Sequence, residues 1–236
     1  MKHVPAPVLR QHFVAFHGAS GTEPEDPQCR FRRVSGCGSR LALRLGPGRA
    51  PESPAGHRGG GRPHQHPARI HLMAGRLPAG SHRAAVAKEM EAIFVQNLQY
   101  SADVLLQEGI TGLIEPINTR ITDPTYFLDS PHQAAAIVEK VGKPNMKLQM
   151  DVFHWQIMDG NLTQNIHKYL PLIGHIQIAQ VPGRNEPDSA GELNYRYLFN
   201  LLETLGYQGY IGCEYKPLRS TNEGLGWLKD HWTLSQ

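Results

Sequence analysis

The sequence predicts an α/β fold of the (β/α)8 TIM-barrel type, incomplete and with about five βα units. From residue 69 onward, short apolar segments alternate with segments of helical periodicity, which is typical of parallel strands joined by helices. Four apolar segments end in an acidic or amide side chain, at successive intervals of 36, 26 and 37 residues: Glu115, Asp151, Gln177 and Glu214. A complete barrel needs about 250 residues, and only the 168 residues from 69 to 236 carry the pattern. The first three units are therefore missing or scrambled.

The individual elements are recognised by short apolar runs for strands and by the spacing of apolar residues for helices. The apolar stripe of the first helix contains Val86, Met90, Ile93, Phe94, Leu98, Val104 and Leu105. The second helix begins at Pro131 and the fourth is followed by Gly206, which are common start and stop residues. The predicted strands cover residues 69–74, 112–117, 147–153, 174–180 and 210–215. The predicted helices cover residues 83–107, 131–141, 161–169, 192–205 and 222–231.

Residues 1–68 form an atypical segment rich in glycine, proline and arginine. From Ser35 to Ala68 there is no Ile, Val, Met, Phe, Tyr or Trp, so this stretch buries too little apolar surface to offset the entropy of ordering it. We therefore expect the segment to be disordered or translated out of frame. The second interpretation rests on the codons of Pro63 to Pro67, which can read Leu-Ile-Asn-Thr-Pro, a strand-like sequence, when they are shifted by one base. An Arg-Gly tail that binds nucleic acid is a third interpretation, although a single Arg-Gly-Gly run favours it little.

Charge and cysteine content exclude several classes of function. Residues 1–68 carry ten Lys or Arg against four Asp or Glu, and residues 69–236 carry fourteen against seventeen. The net charge of +3 is therefore a weak argument for a nucleic-acid partner, and we expect none. Three widely spaced cysteines without a CxxC motif favour a reducing compartment, the cytoplasm. With no apolar run of about 18 residues and no apolar leader, neither a membrane partner nor a signal peptide is expected.

The four strand-end side chains predict a metal site. Carboxylate and amide oxygens suit Mg²⁺ or Mn²⁺ better than Zn²⁺, and the carboxyl ends of barrel strands meet at one mouth. For a single acidic residue, capping a helix or pairing with an arginine is the better interpretation. Four such residues at successive strand ends favour a shared site formed by Glu115, Asp151, Gln177 and Glu214.

Two further side chains are candidates for substrate binding. We expect His154 just past the strand, at the rim, because on an extended strand it would face away from Asp151. There it would either contact the substrate, or cap a helix or support another residue of the site. Arg184 lies in a turn-rich loop after the Gln177 strand and can hold a carboxylate with two hydrogen bonds, unless it is an ordinary surface arginine. Cys213 is expected to face the helices as a small buried apolar residue.

Five longer motifs lie at the predicted strands: Arg69-Ile-His-Leu-Met-Ala-Gly-Arg76, Leu113-Ile-Glu-Pro-Ile-Asn-Thr-Arg120, Gln149-Met-Asp-Val-Phe-His-Trp155, Gly174-His-Ile-Gln-Ile-Ala-Gln-Val-Pro-Gly-Arg184 and Ile211-Gly-Cys-Glu-Tyr215. Together they resemble the hydroxypyruvate isomerase family of xylose isomerase-like barrels. The resemblance runs from about residue 69 to the C-terminus and makes residues 69–236 the C-terminal part of an isomerase barrel. Residues 1–68 depart from the family, whose first strands are absent as the sequence is written.

The resemblance implies an intramolecular oxidoreductase that interconverts hydroxypyruvate and 2-hydroxy-3-oxopropanoate (tartronate semialdehyde). The four strand-end residues would hold Mg²⁺ or Mn²⁺, and Glu115 and Glu214 would also be the catalytic acid/base pair, each starting ionised beside the cation. His154 and Arg184 would contact the small-molecule substrate. The alternatives are a truncated, inactive isoform, a ketose 3-epimerase, and a DNA-repair endonuclease of the same fold. A homo-oligomer is also compatible with the sequence.

Overall fold

The computed structural model describes residues 69–228 and, before them, the backbone of two strands at 12–17 and 40–45. The expectation that residues 1–68 are disordered or out of frame falls mostly outside the described residues and stays a prediction. Within the described part, no helix has the length and apolar character needed to cross a membrane.

Seven strands and five α-helices are described from end to end. The strands are β1 (His12–His17), β2 (Arg40–Leu45), β3 (Arg69–His71), β4 (Thr111–Ile114), β5 (Met146–Asp151), β6 (Ile173–Ile178) and β7 (Ile211–Cys213). The helices are α1 (Arg83–Gln107), α2 (Pro131–Val141), α3 (Val152–Met158), α4 (Leu162–Tyr169) and α5 (Tyr195–Thr204). Short 3-10 helices lie at Leu170–Leu172 and Glu223–Leu225.

The strands form one sheet in the order β2-β1-β7-β6-β5-β4-β3. From β3 to β7, strands that follow one another along the chain are parallel neighbours in the sheet. β1 pairs with β7 in parallel and with β2 in antiparallel orientation. Five consecutive parallel strands with helices between them make a half-barrel, which confirms the predicted incomplete (β/α)8 type. Their carboxyl ends therefore share one edge.

The helices α1 and α2 have the predicted bounds, and α2 shows why. Ser130 precedes it and accepts a hydrogen bond from the backbone N–H of Gln133 at 3.1 Å, which satisfies one of the free donors of the first turn. Pro131 is the first helical residue, and Gly142 ends the helix in the left-handed conformation, with φ of 66°. Proline at the start and glycine at the end of a helix are boundary residues that can be recognised in a sequence.

The apolar stripe of α1 is narrower than predicted. Phe94, Leu98 and Leu105 are buried as expected, whereas Ile93 and Val104 are 52% and 46% exposed. An α-helix turns about 100° per residue, so the buried positions cluster on one side and the two exposed ones fall on its flank. Their inclusion in the predicted stripe was wrong.

The third predicted strand ends earlier than expected, because a helix follows it without a loop. β5 stops at Asp151 and α3 begins at Val152. The carboxylate of Asp151 caps α3, since its Oδ1 accepts from the N–H of Phe153 at 2.9 Å. The prediction of strand through residue 153 is therefore wrong, and His154 lies in the first turn of a helix.

The last predicted helix, 222–231, begins as the 3-10 helix at Glu223–Leu225 and continues as helix to residue 228, and its remaining residues lie outside the described part. The hydrophobic core fills the space between the sheet and the helices and includes Trp155, which is fully buried. Cys213 is also fully buried, and burial raises the pKa of its thiol well above the usual value. The expectation of a small buried apolar residue is confirmed.

Candidate metal and active site

The predicted strand-end side chains lie along the carboxyl edge of the half-barrel. Glu115 follows β4, Asp151 ends β5, Gln177 lies in β6 and Glu214 follows β7. Glu115, Asp151 and Gln177 are buried, with Asp151 only 1% exposed, and Glu214 is half-buried. Ligand atoms of Glu115, Asp151 and His154 lie within 4.8 Å of one another. These three residues form the centre of what we call the carboxylate cluster, which also includes Glu214.

Arg184 joins Asp151 to Glu214. Its Nη2 donates to Asp151 Oδ2 at 3.0 Å and to Glu214 Oε2 at 2.9 Å. The loop after β6 fixes this position: Arg184 has a left-handed backbone with φ of 56°, its N–H donates to the carbonyl of Gln180 at 2.8 Å, and its carbonyl accepts from the N–H of Lys216 at 2.7 Å. With its side chain only 20% exposed, Arg184 belongs to the cluster and is not an ordinary surface arginine.

Gln149 joins Glu115 to Gln177, although it was not predicted as a site residue. Its Nε2 donates to Glu115 Oε2 at 2.7 Å and also to Gln177 Oε1. Gln149 precedes Asp151 by two residues, so the alternation of side chains along a strand puts both on the same face. This spacing was a usable signal in the sequence.

His154 is buried and faces a different group with each ring nitrogen. Asn118 meets Nδ1, with its backbone N at 3.3 Å and its Nδ2 at 2.7 Å. Nε2 lies 3.5 Å from Asp151 Oδ2 and 3.2 Å from Arg184 Nη1. Burial, and secondly the charge of Arg184, lowers the pKa of His154 to about 3, so the ring is neutral at pH 7. Because α3 starts at once after Asp151, the helical turn brings His154 back towards the cluster, which an extended chain would not do.

Asn118 and His71 are two further residues of the site that were not predicted from the sequence. His71 ends β3, and its Nε2 lies 3.4 Å from Glu115 Oε2. Burial lowers the pKa of His71, although the charge of Glu214 opposes this. In the sequence, apolar residues continue after His71 as far as Ala74, so His71 did not stand at a recognisable strand end.

The cluster carries more negative than positive charge. Burial, followed by repulsion from Asp151 and Glu214, raises the pKa of Glu115 well above its usual value. Burial also raises the pKa of Asp151, against the lowering effect of Arg184. Ionised glutamates, as expected from the resemblance, thus require more positive charge than the one guanidinium provides.

The chemistry of these donors fits a divalent cation. Three carboxylates and the amide oxygen of Gln177 are hard oxygen ligands, which suit Mg²⁺ or Mn²⁺. Carboxylates buried close together are costly unless a cation balances their charge. With Glu115, Asp151 and Glu214 ionised, Arg184 alone leaves an excess of two negative charges, which a divalent cation would offset.

The fold and the position of this cluster define a protein of the barrel type with charged and polar side chains gathered at the carboxyl ends of its strands. Residues 68–231 match the family of xylose isomerase-like TIM barrels, and the chain belongs to this family.

Several curated proteins resemble the chain over the same region. It is 66% identical over 164 residues to the Homo sapiens protein named "Putative hydroxypyruvate isomerase", and the matched region covers 70% of this chain and 59% of that protein. It is 48% identical over 163 residues to the 2-oxo-tetronate isomerase of Cupriavidus necator, covering 69% and 60% of the two chains. It is 41% identical over 160 residues to the hydroxypyruvate isomerase of Escherichia coli, covering 68% and 60%. The chain thus spans about three fifths of the length of these relatives.

A solved structure shows the same fold. The crystal structure titled AP endonuclease, family 2, from Brucella melitensis is 45% identical and superposes with a TM-score of 0.63, covering 69% of this chain and 60% of that one. The structure of an Escherichia coli 3-keto-D-glucoside 4-epimerase, 22% identical with a TM-score of 0.54, shares the fold.

Proposed function

We propose that the protein is a hydroxypyruvate isomerase, which interconverts hydroxypyruvate and 2-hydroxy-3-oxopropanoate. The observation that carries the proposal is the carboxylate cluster. Glu115 and Glu214 follow different strands; Glu115 lies beside Asp151 and His154, and Arg184 joins Glu214 to Asp151. The names of the relatives that are 66% and 41% identical support this substrate.

The proposed site would hold Mg²⁺ or Mn²⁺ through Glu115, Asp151, Gln177 and Glu214, and the cation would supply polarisation of the substrate oxygens and stabilisation of negative charge. The reaction moves a carbon-bound hydrogen from C3 to C2 of the substrate and a hydroxyl hydrogen from O3 to O2. One of the two glutamates accepts the proton from C3 and the other delivers a proton to C2. The accepting glutamate starts ionised and the delivering glutamate starts protonated, and the hydroxyl proton released at O3 is taken up at O2.

Two side chains orient the substrate in this proposal. Arg184 binds the substrate carboxylate, since a guanidinium presents several donors in a fixed plane. His154 contacts a substrate oxygen from the wall formed by α3. Glu115 and Asp151 are buried away from water, which strengthens the electrostatic contacts that these two carboxylates make.

The same atoms would serve a slightly longer keto acid. The relative that is 48% identical is named 2-oxo-tetronate isomerase, and moving a hydrogen between adjacent carbons of such a substrate needs the same pair of glutamates. We therefore include 2-oxo-tetronate as the second candidate substrate. The ketose 3-epimerase alternative receives less support. We expect a histidine at this strand end in a ketose 3-epimerase, and this chain has the amide side chain of Gln177 there.

The proposal extends to the setting of the enzyme. We infer a cytoplasmic protein with a small-molecule substrate and without a nucleic-acid or membrane partner. The excess of acidic over basic residues after residue 68 disfavours binding to phosphates, and Cys213 as a buried thiol suits a reducing compartment.

The test is turnover of the full chain with hydroxypyruvate or 2-oxo-tetronate, with Mg²⁺, Mn²⁺ or a chelator. We expect turnover that requires the cation, and Glu214→Gln should lower kcat by about 10²- to 10⁴-fold, the usual contribution of a catalytic acid or base. Glu203→Gln, at an exposed position on α5, is the matched control and should keep wild-type turnover. Full activity of Glu214→Gln, or a cooperatively folded chain without any turnover, would overturn the proposal and favour the inactive isoform.

A further inference from the structure

Asn118 is fully buried in the loop after β4, and its neighbours fix the orientation of its side-chain amide. Its Oδ1 accepts hydrogen bonds from the backbone N–H groups of Ile121 at 3.0 Å and Thr122 at 3.1 Å. Those two groups can only donate, so the atom facing them must be the oxygen. The amide nitrogen therefore points the other way, to Thr122 Oγ1 at 2.9 Å and His154 Nδ1 at 2.7 Å.

His154 Nδ1 thus faces two hydrogen-bond donors. The first is Asn118 Nδ2, and the second is the backbone N–H of Asn118, at 3.3 Å. A ring nitrogen that carries its own hydrogen cannot accept from either donor, and both buried N–H groups would then lose this partner. Nδ1 is therefore the acceptor, and the hydrogen of the neutral ring lies on Nε2.

The surroundings of Nε2 agree with this assignment on balance. The carboxylate oxygens Asp151 Oδ2 and Glu115 Oε1 lie 3.5 Å and 3.9 Å away, and in the ionised form they can only accept a hydrogen bond from an N–H group. Arg184 Nη1, at 3.2 Å, is a donor that would prefer an acceptor there. One hydrogen-bond donor faces Nε2, whereas two donors face Nδ1. The guanidinium of Arg184 also has other acceptors, since its Nη2 donates to Asp151 and Glu214. The Asn118 side therefore decides the tautomer.

We propose that Asn118 is a positioning residue, which holds His154 with its hydrogen on Nε2 so that the ring donates a hydrogen bond to a substrate oxygen at the carboxylate cluster. The role of the donor rests on the proposed function, since that reaction places negative charge on a substrate oxygen when the carbon loses its proton. A fixed N–H donor stabilises such charge, whereas the other tautomer would present a lone pair and repel it.

Nitrogen NMR of the full chain, labelled with ¹⁵N-histidine, tests the tautomer directly. The His154 signals are assigned by their loss in His154→Gln. We expect the hydrogen on Nε2 in the wild type, and on Nδ1, alone or together with Nε2, in Asn118→Asp, which replaces the donor with an acceptor of the same shape. Asn145→Asp is the matched control, because the amide of Asn145 donates to Ala102 O and Ile110 O instead of a histidine. It should leave the His154 spectrum unchanged.

A wild-type ring with its hydrogen on Nδ1 would overturn the inference, even if Asn118→Asp does not fold. So would a folded Asn118→Asp whose His154 spectrum equals that of the wild type.

Turnover separates this inference from the proposed function. Loss of a residue that orients a functional side chain costs about 10- to 100-fold in activity, and we expect kcat of Asn118→Asp to fall by that factor. If the wild type turns over substrate and Asn118→Asp keeps its kcat despite an altered tautomer, the donor role is wrong. If the tautomer is as expected but the wild type turns over neither keto acid, the proposed function fails and the role of Asn118 in fixing the tautomer stands.

Discussion

Removal of the Arg184 guanidinium should destabilise the folded chain measurably. In Arg184→Met the carboxylates of Asp151 and Glu214 lose their shared partner, with which they make contacts of 3.0 Å and 2.9 Å. Breaking a fully buried ion pair by removing one partner costs about 3–5 kcal/mol. Here the side chains of Arg184 and Glu214 are 20% and 31% exposed, so water screens part of the loss, and we expect about 2 kcal/mol.

Methionine is chosen because it keeps an unbranched apolar stem, which in Arg184 leads to a guanidinium 4.7 Å from the ring centre of Phe153. The left-handed backbone at φ of 56° is equally unfavourable for both side chains, so its cost cancels in the comparison. The difference between the two proteins is therefore mainly the loss of charge and hydrogen bonds.

Urea unfolding at pH 8 without divalent cations, followed by circular dichroism, gives the free energy of unfolding. Arg219→Met is the control, because Arg219 is exposed on the loop after β7 and its replacement should change stability by no more than about 0.5 kcal/mol. If Arg184→Met loses no more stability than Arg219→Met, then Arg184 does not balance the buried carboxylates and the electrostatic account of the cluster is wrong. Arg184→Lys should fall between, since it keeps the charge but not the planar set of donors.

Two further substitutions test how neighbouring loops and strands are held together. Glu186→Gln should lower the free energy of unfolding by about 1–2 kcal/mol, because both oxygens of the buried carboxylate face the N–H of Leu218 at 3.0 and 3.2 Å and a charged acceptor binds more strongly than an amide; an unchanged urea midpoint would contradict this. Gly174→Ala should lower the free energy of unfolding by about 1–3 kcal/mol through overpacking, because a Cβ there would lie 2.7 Å from Lys147 Cβ and 2.9 Å from Leu113 Cδ2. If the variant unfolds at the same temperature as the wild type, β6 can shift to make room and the prediction is wrong.

The sequence was sufficient for those elements whose ends are marked by local chemistry. Ser130 and Gly142 bound α2 by capping, so its range could be predicted without knowledge of the fold. The parallel half-barrel followed from the alternation of apolar strands and helices, whereas the family followed from the resemblance of the five longer motifs. The exposed flank of α1 could not be predicted, because Ile93 and Val104 are apolar and only the packing of neighbouring elements decides which side of the helix is covered.

The candidate site was predictable at the level of strand ends but not at the level of contacts. Glu115 and Asp151 stand out because acidic residues at the end of buried strands need partners. The contacts of Arg184 depend on its own left-handed backbone conformation in a long loop. Arginine rarely adopts this conformation, so the sequence gives no reason to expect it. The orientation of Asn118 depends in turn on a loop that folds back on its own side chain. Such arrangements arise from tertiary structure.

Asp151 shows how local folding and site chemistry depend on one side chain. Its Oδ1 accepts from the N–H of Phe153 and starts α3, while its Oδ2 lies 3.0 Å from Arg184 Nη2 and 3.5 Å from His154 Nε2. The helix that the first oxygen caps carries His154, so capping by Oδ1 places the histidine against the charge on Oδ2. An acidic residue at this strand end therefore builds the neighbouring part of the site as well as contributing to it. This explains why a helix replaces the last two predicted strand residues at the point where the side chains of the carboxylate cluster meet.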